Sequence, residues 1–219
     1  MPIAAYNSVV NITGTSTAFT TEGFSGATTT WQITVGTKRV WDPAVTPSFF
    51  DNGVAIAANE VSSINYLFGV VVFTGSKTGP ITATGNYFPV WPVAEVREFN
   101  IQMSRNVLDS TVFTTSGTAK SKTAGLKDAS GTIGSLDSLN TDIDTGGTSR
   151  KLFDVLNGAT AVVLDIQPGG VSNKWRFWIT LDKEDLKAAV DDLVTSEIGW
   201  VLNPVKALDG TAVSYSYRT

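Results

Sequence analysis

Residues Asn106–Leu139 read NVLDSTVFTTSGTAKSKTAGLKDASGTIGSLDSL, and the rest of the chain is organised around them. Leading into it, Phe99, Ile101 and Met103 alternate with Asn100, Gln102 and Ser104, the period-2 pattern of a strand with one buried face. About twenty residues follow with almost no apolar periodicity, rich in Ser, Thr, Gly and Lys. A second short strand is predicted near Ala129–Leu136. The long polar loop between them, 106–128, carries Lys120, Lys122 and Lys127 and no aromatic residue after Phe113. Such a segment cannot bury enough apolar area to order itself. A compact domain rarely keeps so long a connection without a use for it. The expectation is that something outside the chain orders the loop, most simply a neighbouring copy.

Outward from this stretch the chain reads as short strands and turns. Trp31, Ile33 and Val35 alternate with Gln32 and Thr34. Asp51-Asn52-Gly53 marks a tight hairpin, because Asn and Gly tolerate positive φ. Val61–Phe73 reads as a strand, a kink at Gly69 and a buried strand, and Ile81–Val90 as another strand ended by Pro89 and Pro92. Residues 1–28 are an extended arm or a weak strand. Ala161–Ile166, Trp175–Leu181, Ile198–Leu202 and Ala212–Tyr217 complete the strands. Helical spacing of Leu186, Val190, Leu193 and Val194 predicts a helical turn from 183 to about 190, then extended chain. A further short helix is predicted over Arg150–Asn157, stopped by Gly158. This is the pattern of a mainly β protein, an antiparallel sandwich or barrel with one or two short helices. Trp91-Pro92-Val93 is a soft seam between a β-rich part, 1–93, and a second part, 94–219. Two parts of one continuous sheet would read the same way.

Composition removes whole classes of function. The 219 residues contain no cysteine and no histidine. That excludes disulfides, thiolate nucleophiles, Cys-based metal sites and every Ser-His-Asp arrangement. Neither a catalytic residue nor a cofactor is expected. Net charge is −4 and no long basic run is present, which argues against gripping nucleic acid. Only 16% of residues are charged, which suits β-structure and a surface largely covered by partners. The N-terminal MPIAAYNSVVNITG lacks the basic start of a secretory signal, and Ile64–Phe73 is too short to span a bilayer. No membrane association is expected.

The order of features over Ala94–Asp137 carries a resemblance. A strand leads to Asp109-Ser110-Thr111, then a polar basic loop, Gly125-Leu126-Lys127-Asp128, and Ser130-Gly131-Thr132-Ile133-Gly134 before Asp137. This resembles the major tail protein, the tail tube subunit, of long-tailed bacterial viruses. The resemblance is one of pattern and order and is looser towards the C-terminus. It implies a tail-tube-like β-sandwich in 94–219 and homo-oligomeric rings, commonly hexameric, stacked into a hollow cylinder. Genome DNA would cross that cylinder without specific binding. It implies the tape measure, terminator and distal tail proteins as partners. It also implies a place in the virion tail after synthesis in a host cytoplasm. In that family such a loop reaches from one ring to the next. Asp109, Ser110, Thr111, Lys120, Lys122, Lys127 and Asp128 are therefore expected to form an inter-ring stacking loop. An acidic patch including Asp191 and Asp192 is its expected dock.

Other motifs have plainer readings. Gly75-Ser76-Lys77-Thr78 has the wrong spacing for a phosphate loop, and Gly79-Pro80 forbids the helix it would need. Asn140, Asp142 and Asp144 have calcium-loop spacing, but Thr145 and Lys151 stand where Gly and Glu are required, so no metal site is expected. Asp182, Glu184, Asp185, Asp191 and Asp192 read as a helix cap and an exposed face before a glycosidase pair. The six tryptophans, with Tyr66, Tyr87, Tyr215 and Tyr217, suit cores and interfaces before a sugar-binding platform. Two alternatives to the tube remain open. One is another virion structural role, head decoration or tail completion. The other, of a different class, is a carbohydrate-binding or carbohydrate-cleaving β-sandwich.

Overall fold

A computed structural model describes residues 9–93, 96–109, 122–136, 162–167, 175–187, 195–203, 205 and 216–218. These form a mainly β protein of two antiparallel sheets. The smaller sheet takes β2 (Thr17–Ala27), β3 (Thr30–Ile33), β4 (Ser48–Asp51), β5 (Val54–Ala55), β6 (Val61–Asn65), β7 (Val70–Phe73) and β8 (Ile81–Tyr87). Their order is β5-β4-β8-β2-β3-β7-β6. The larger sheet takes β1 (Val9–Thr13), β9 (Val90–Pro92), β10 (Val96–Asp109), β11 (Lys122–Leu136), β12 (Val162–Gln167), β13 (Trp175–Lys187) and β14 (Thr195–Leu202). Its order is β10-β11-β14-β13-β12-β1-β9, with β15 (Ser216–Arg218) paired to β13. Strands β1 and β9 come from before residue 93, so this sheet draws on both sides of the predicted seam.

Turn chemistry sets the smaller sheet. Asn52 and Gly53 have φ of 50° and 80°, the positive values that the two central residues of the tight β4–β5 hairpin need. Gly69 has φ of 60°, and a Cβ there would lie 2.8 Å from Ile33 and 3.1 Å from the Arg39 carbonyl oxygen. The kink predicted at Gly69 thus answers both a backbone and a packing need. Around it Trp41, Phe24, Phe49 and Phe73 fill the core, with Phe49 edge-on to Phe73 at 5.7 Å. Truncating a ring so placed costs about 3–5 kcal/mol.

The middle of the larger sheet, β12 and β13, is buried on both faces. Val162, Leu164 and Ile166 of β12 enter one cluster with Val10, Ile12, Phe177, Ile179, Ile133, Ile198 and Trp200. Their alternates, Val163 and Trp178, enter the other cluster with the aromatic core of the smaller sheet. Strands buried on both faces read as apolar runs, which is why VVLDIQ lacks alternation. Gly131 lets strands close up: a Cβ there would stand 2.0 Å from the Asn100 carbonyl oxygen and 2.7 Å from the Trp200 ring.

Two expectations need correction. The helical turn predicted over 183–190 is strand through Lys187. Lys183–Lys187 pair with Thr195–Gly199 of β14, after a register shift between Leu181 and Lys183. Backbone pairing overrides the weak helical spacing, and the bulge breaks the alternation that would have betrayed a strand. The loop predicted over 106–128 is also shorter than expected: 106–109 and 122–128 are hairpin arms, Asp109 facing Lys122. The second strand therefore begins at Lys122, not near Ala129. Glycine and polar side chains hid it, because ladder bonds need no apolar pattern. The helix predicted over Arg150–Asn157 lies outside the described residues. Among the described residues the helices are single 3-10 turns, Gly36–Lys38 and Ala58–Glu60, and none is long and apolar enough to cross a membrane.

Candidate functional site

The β10–β11 hairpin outgrows the sheet that carries it. Strand β14 pairs with β11 only over Ser130–Leu136. Beyond that, among the described residues, the rungs from Met103 opposite Ala129 to Asp109 opposite Lys122 belong to β10 and β11 alone. At roughly 3.4 Å per residue the unsupported ribbon is about 20 Å long. Its outer strand, β10, is 14 residues long and ends the sheet order, so one edge has no partner strand among the described residues. Register shifts near Val96 and between Arg105 and Val107 interrupt that edge.

The alternation along β10 marks where the ribbon leaves the body. Phe99 and Ile101 pack half-buried against the core cluster, and Met103, next on the same face, is 61% exposed. A two-stranded ribbon without a third strand or a covering face is marginal in water. An unpaired strand edge is a template for another chain.

The expected stacking residues fall on or beyond this ribbon. Asp109 ends β10 opposite Lys122, Lys127 faces Arg105, and Asp128 faces Ser104. Asp128 is exposed, and its Oδ1 accepts from the Ala129 N–H at 2.8 Å. Ser110, Thr111 and Lys120 lie outside the described residues, as do Asp191 and Asp192 of the expected dock.

The remaining motifs are used structurally. Lys77 Nζ bonds Glu60 at 2.5 Å, and its N–H donates to the Thr28 carbonyl at 2.8 Å, so this lysine holds a turn. Trp41, Trp178 and Trp200 are buried in the cores. Asp182 and Asp185 are exposed on β13. Lys183 donates to Asp185 at 3.1 Å; that bond, then the Asp185 charge, holds the ammonium above its ordinary range despite some desolvation. Among the described residues no group of acidic side chains is placed to hold a metal ion.

A second feature lay hidden in the sequence. Between the sheets is a cleft of about 670 Å³, whose wall includes Asn11, Gln32, Arg39, Asp165, Gln167 and Arg176. Asp165 and Arg176 are 1% and 3% exposed and oppose each other across β12 and β13. Arg176 Nε and Nη2 each reach Asp165 Oδ2 at 2.8 Å. Its Nη1 donates to the Leu67 carbonyl of the smaller sheet, and its guanidinium lies 4.7 Å from the Phe68 ring centre. Asp165 Oδ1 and Arg39 Nε remain buried without a partner among the described residues. Each such group costs about 1–3 kcal/mol until something satisfies it. The available signal was a lone acid inside VVLDIQ and a lone base inside WRFWI.

No family model and no curated protein matches the sequence. Among solved structures, the chain is similar to one in the virion of a native gene transfer agent particle. That match has a TM-score of 0.43 and 10% identity over 58% of this chain and 89% of that one. It is also similar to a chain in the tail of an empty gene transfer agent particle with C6 symmetry. There the TM-score is 0.42 and the identity 12%, over 54% of this chain and 84% of that one.

Proposed function

We propose that this chain is a virion structural protein, the subunit of a viral tail tube. One observation carries the reading: a β-ribbon about 20 Å long that leaves the sheet with no third strand beside it among the described residues. A structure of this kind is completed by copies of itself. Closing a ring of sheets removes the free edges, and the projecting ribbon spans the gap to the next ring. The resemblance of Ala94–Asp137 to tail tube subunits supports the same assembly and the tape measure, terminator and distal tail proteins as neighbours. The net charge of −4 supports a conduit, since Lys or Arg along a bore would hold phosphates and slow DNA.

Size-exclusion chromatography of the full chain followed by negative-stain imaging tests the proposal. Stacked rings or tubes are expected. Single rings would point instead to a decoration or tail-completion role. A chain that stays solitary at high concentration would remove assembly altogether.

A further inference from the structure

The β4–β5 hairpin plays no part in the assembly proposed above, and its turn brings together what an asparagine needs to react with its own backbone. Asn52 and Gly53 are both exposed. The Asn52 carboxamide makes no hydrogen bond to a described residue, and the Gly53 N–H donates to none. Gly53 has no side chain to shield that nitrogen, and apart from its chain neighbours nothing lies within 4 Å of where a Cβ would stand. The hairpin also holds the turn weakly. Its rungs are Phe50 opposite Ala55 and Asp51 opposite Val54, and β5 ends the sheet order with Val54 70% exposed. So short an edge opens locally without unfolding the sheet behind it.

The other asparagines whose side chains are described lack this combination. Asn11 is buried, Asn65 Oδ1 accepts from the Leu67 N–H, and Asn86 and Asn203 donate to Ser16 and Thr180. Asn100 precedes the branched Ile101, and the N–H that follows Asn59 is spent on the Ala57 carbonyl. We propose that Asn52-Gly53 is a self-modifying site, where the folded chain converts asparagine to aspartate and isoaspartate. The Gly53 nitrogen attacks Asn52 Cγ and gives up its proton. The new C–N bond closes a succinimide ring, the Cγ–Nδ2 bond breaks, and ammonia leaves with that proton. Water then opens the ring. Cleavage at the side-chain carbonyl gives aspartate, and cleavage at the backbone carbonyl gives isoaspartate, so water is consumed and ammonia released. The two products act differently on the hairpin. Aspartate tolerates positive φ and suits the same turn. Isoaspartate adds a methylene to the main chain of a two-residue loop whose geometry sets the register. It should unpair β5, free the Ile56 N–H that donates to the Phe49 carbonyl at 2.9 Å, and leave β4 as a bare edge.

The test is incubation of the full chain at neutral to mildly alkaline pH, followed by peptide mapping with mass spectrometry. Amide loss should appear at Asn52 before Asn59 or Asn100, in both aspartate and isoaspartate forms. Hydrogen exchange on the separated forms should find Ile56 unprotected beside isoaspartate and protected in Asn52→Asp. Asn52→Gly keeps a turn-forming pair and should hold its Ile56 protection through the incubation. Amide loss at Asn52 only in urea, or no faster than at Asn59 and Asn100, would overturn the proposal. So would an Asn52→Gly chain that loses Ile56 protection as fast as the parent. Asn157-Gly158 repeats the dipeptide outside the described residues and is read in a separate peptide. None of these results bears on tube formation.

Discussion

Asp165 and Arg176 face each other on neighbouring strands, and the arginine also holds the Leu67 carbonyl of the opposite sheet. The pair thus ties the two sheets together at a point where water has little access. Removing one member strands the other charge. Asp165→Ala and Arg176→Ala should each lower unfolding free energy by about 3–5 kcal/mol in urea denaturation. Replacing both, as Asp165→Leu with Arg176→Met, should cost markedly less than the sum of the singles. Additive losses would show that the two side chains act separately.

Glycines on β11 make a second, sharper contrast. A Cβ on Gly131 would meet backbone, the Asn100 carbonyl oxygen at 2.0 Å, as well as the Trp200 ring. The atoms nearest a Cβ on Gly134 belong to the Glu98 side chain, Cγ at 2.7 Å, which a rotation about χ1 can move, unlike backbone. Gly131→Ala should therefore destabilise by about 1–3 kcal/mol or more and loosen the β10–β11 rungs in hydrogen exchange. Gly134→Ala should stay within about 0.5 kcal/mol. Equal losses in the two variants would contradict this account.

Much of the fold was legible because local chemistry agreed with it. Asn52 and Gly53 announced a hairpin through their tolerance of positive φ, and both have it, as does Gly69 at the expected kink. Trp31 and Ile33 alternate on β3 as expected. What stayed hidden depended on distant partners. The Lys122–Asp128 arm has no apolar signature, and only pairing with β10 makes it a strand. Lys183–Lys187 looked helical because the bulge after Leu181 scrambled its alternation. The cleft is built from Asn11, Gln32, Arg39, Asp165 and Arg176, spread over more than 160 positions of sequence, so no local motif could bring them together.

The Lys183–Asp185 pair on β13 gives a pH prediction. The lysine titrates above its ordinary value of 10.5, chiefly because its ammonium bonds the Asp185 carboxylate. A raised folded-state value means that the pair's contribution is fully present below the unfolded value. It is lost as pH rises through the higher folded one. Asp185→Asn should bring the Lys183 Nζ titration down towards its ordinary range, followed by NMR. Because both side chains are exposed, the melting temperature near neutral pH should hardly move.

The ribbon supplies the last prediction. Met103 stands 61% exposed where β10 leaves the core, and Lys122 and Lys127 sit on the arm that no third strand supports among the described residues. If copies of the chain complete this ribbon, its apolar base and its cations should matter to assembly and hardly at all to the isolated fold. Met103→Lys should leave the unfolding free energy of dispersed subunits within about 0.5 kcal/mol, as an exposed site allows. It should nonetheless shift the population from tubes towards rings or monomers in sedimentation and negative-stain images. Reversing Lys120, Lys122 and Lys127 to Glu should shorten tubes and reduce their resistance to rising salt, since exposed charge pairs are screened within about 8 Å at physiological ionic strength. Normal tube length and salt resistance in the reversed variant would mean that these cations do not dock onto a neighbouring ring. If Met103→Lys also assembled normally, the projecting ribbon would be an ornament of the fold and not its joint.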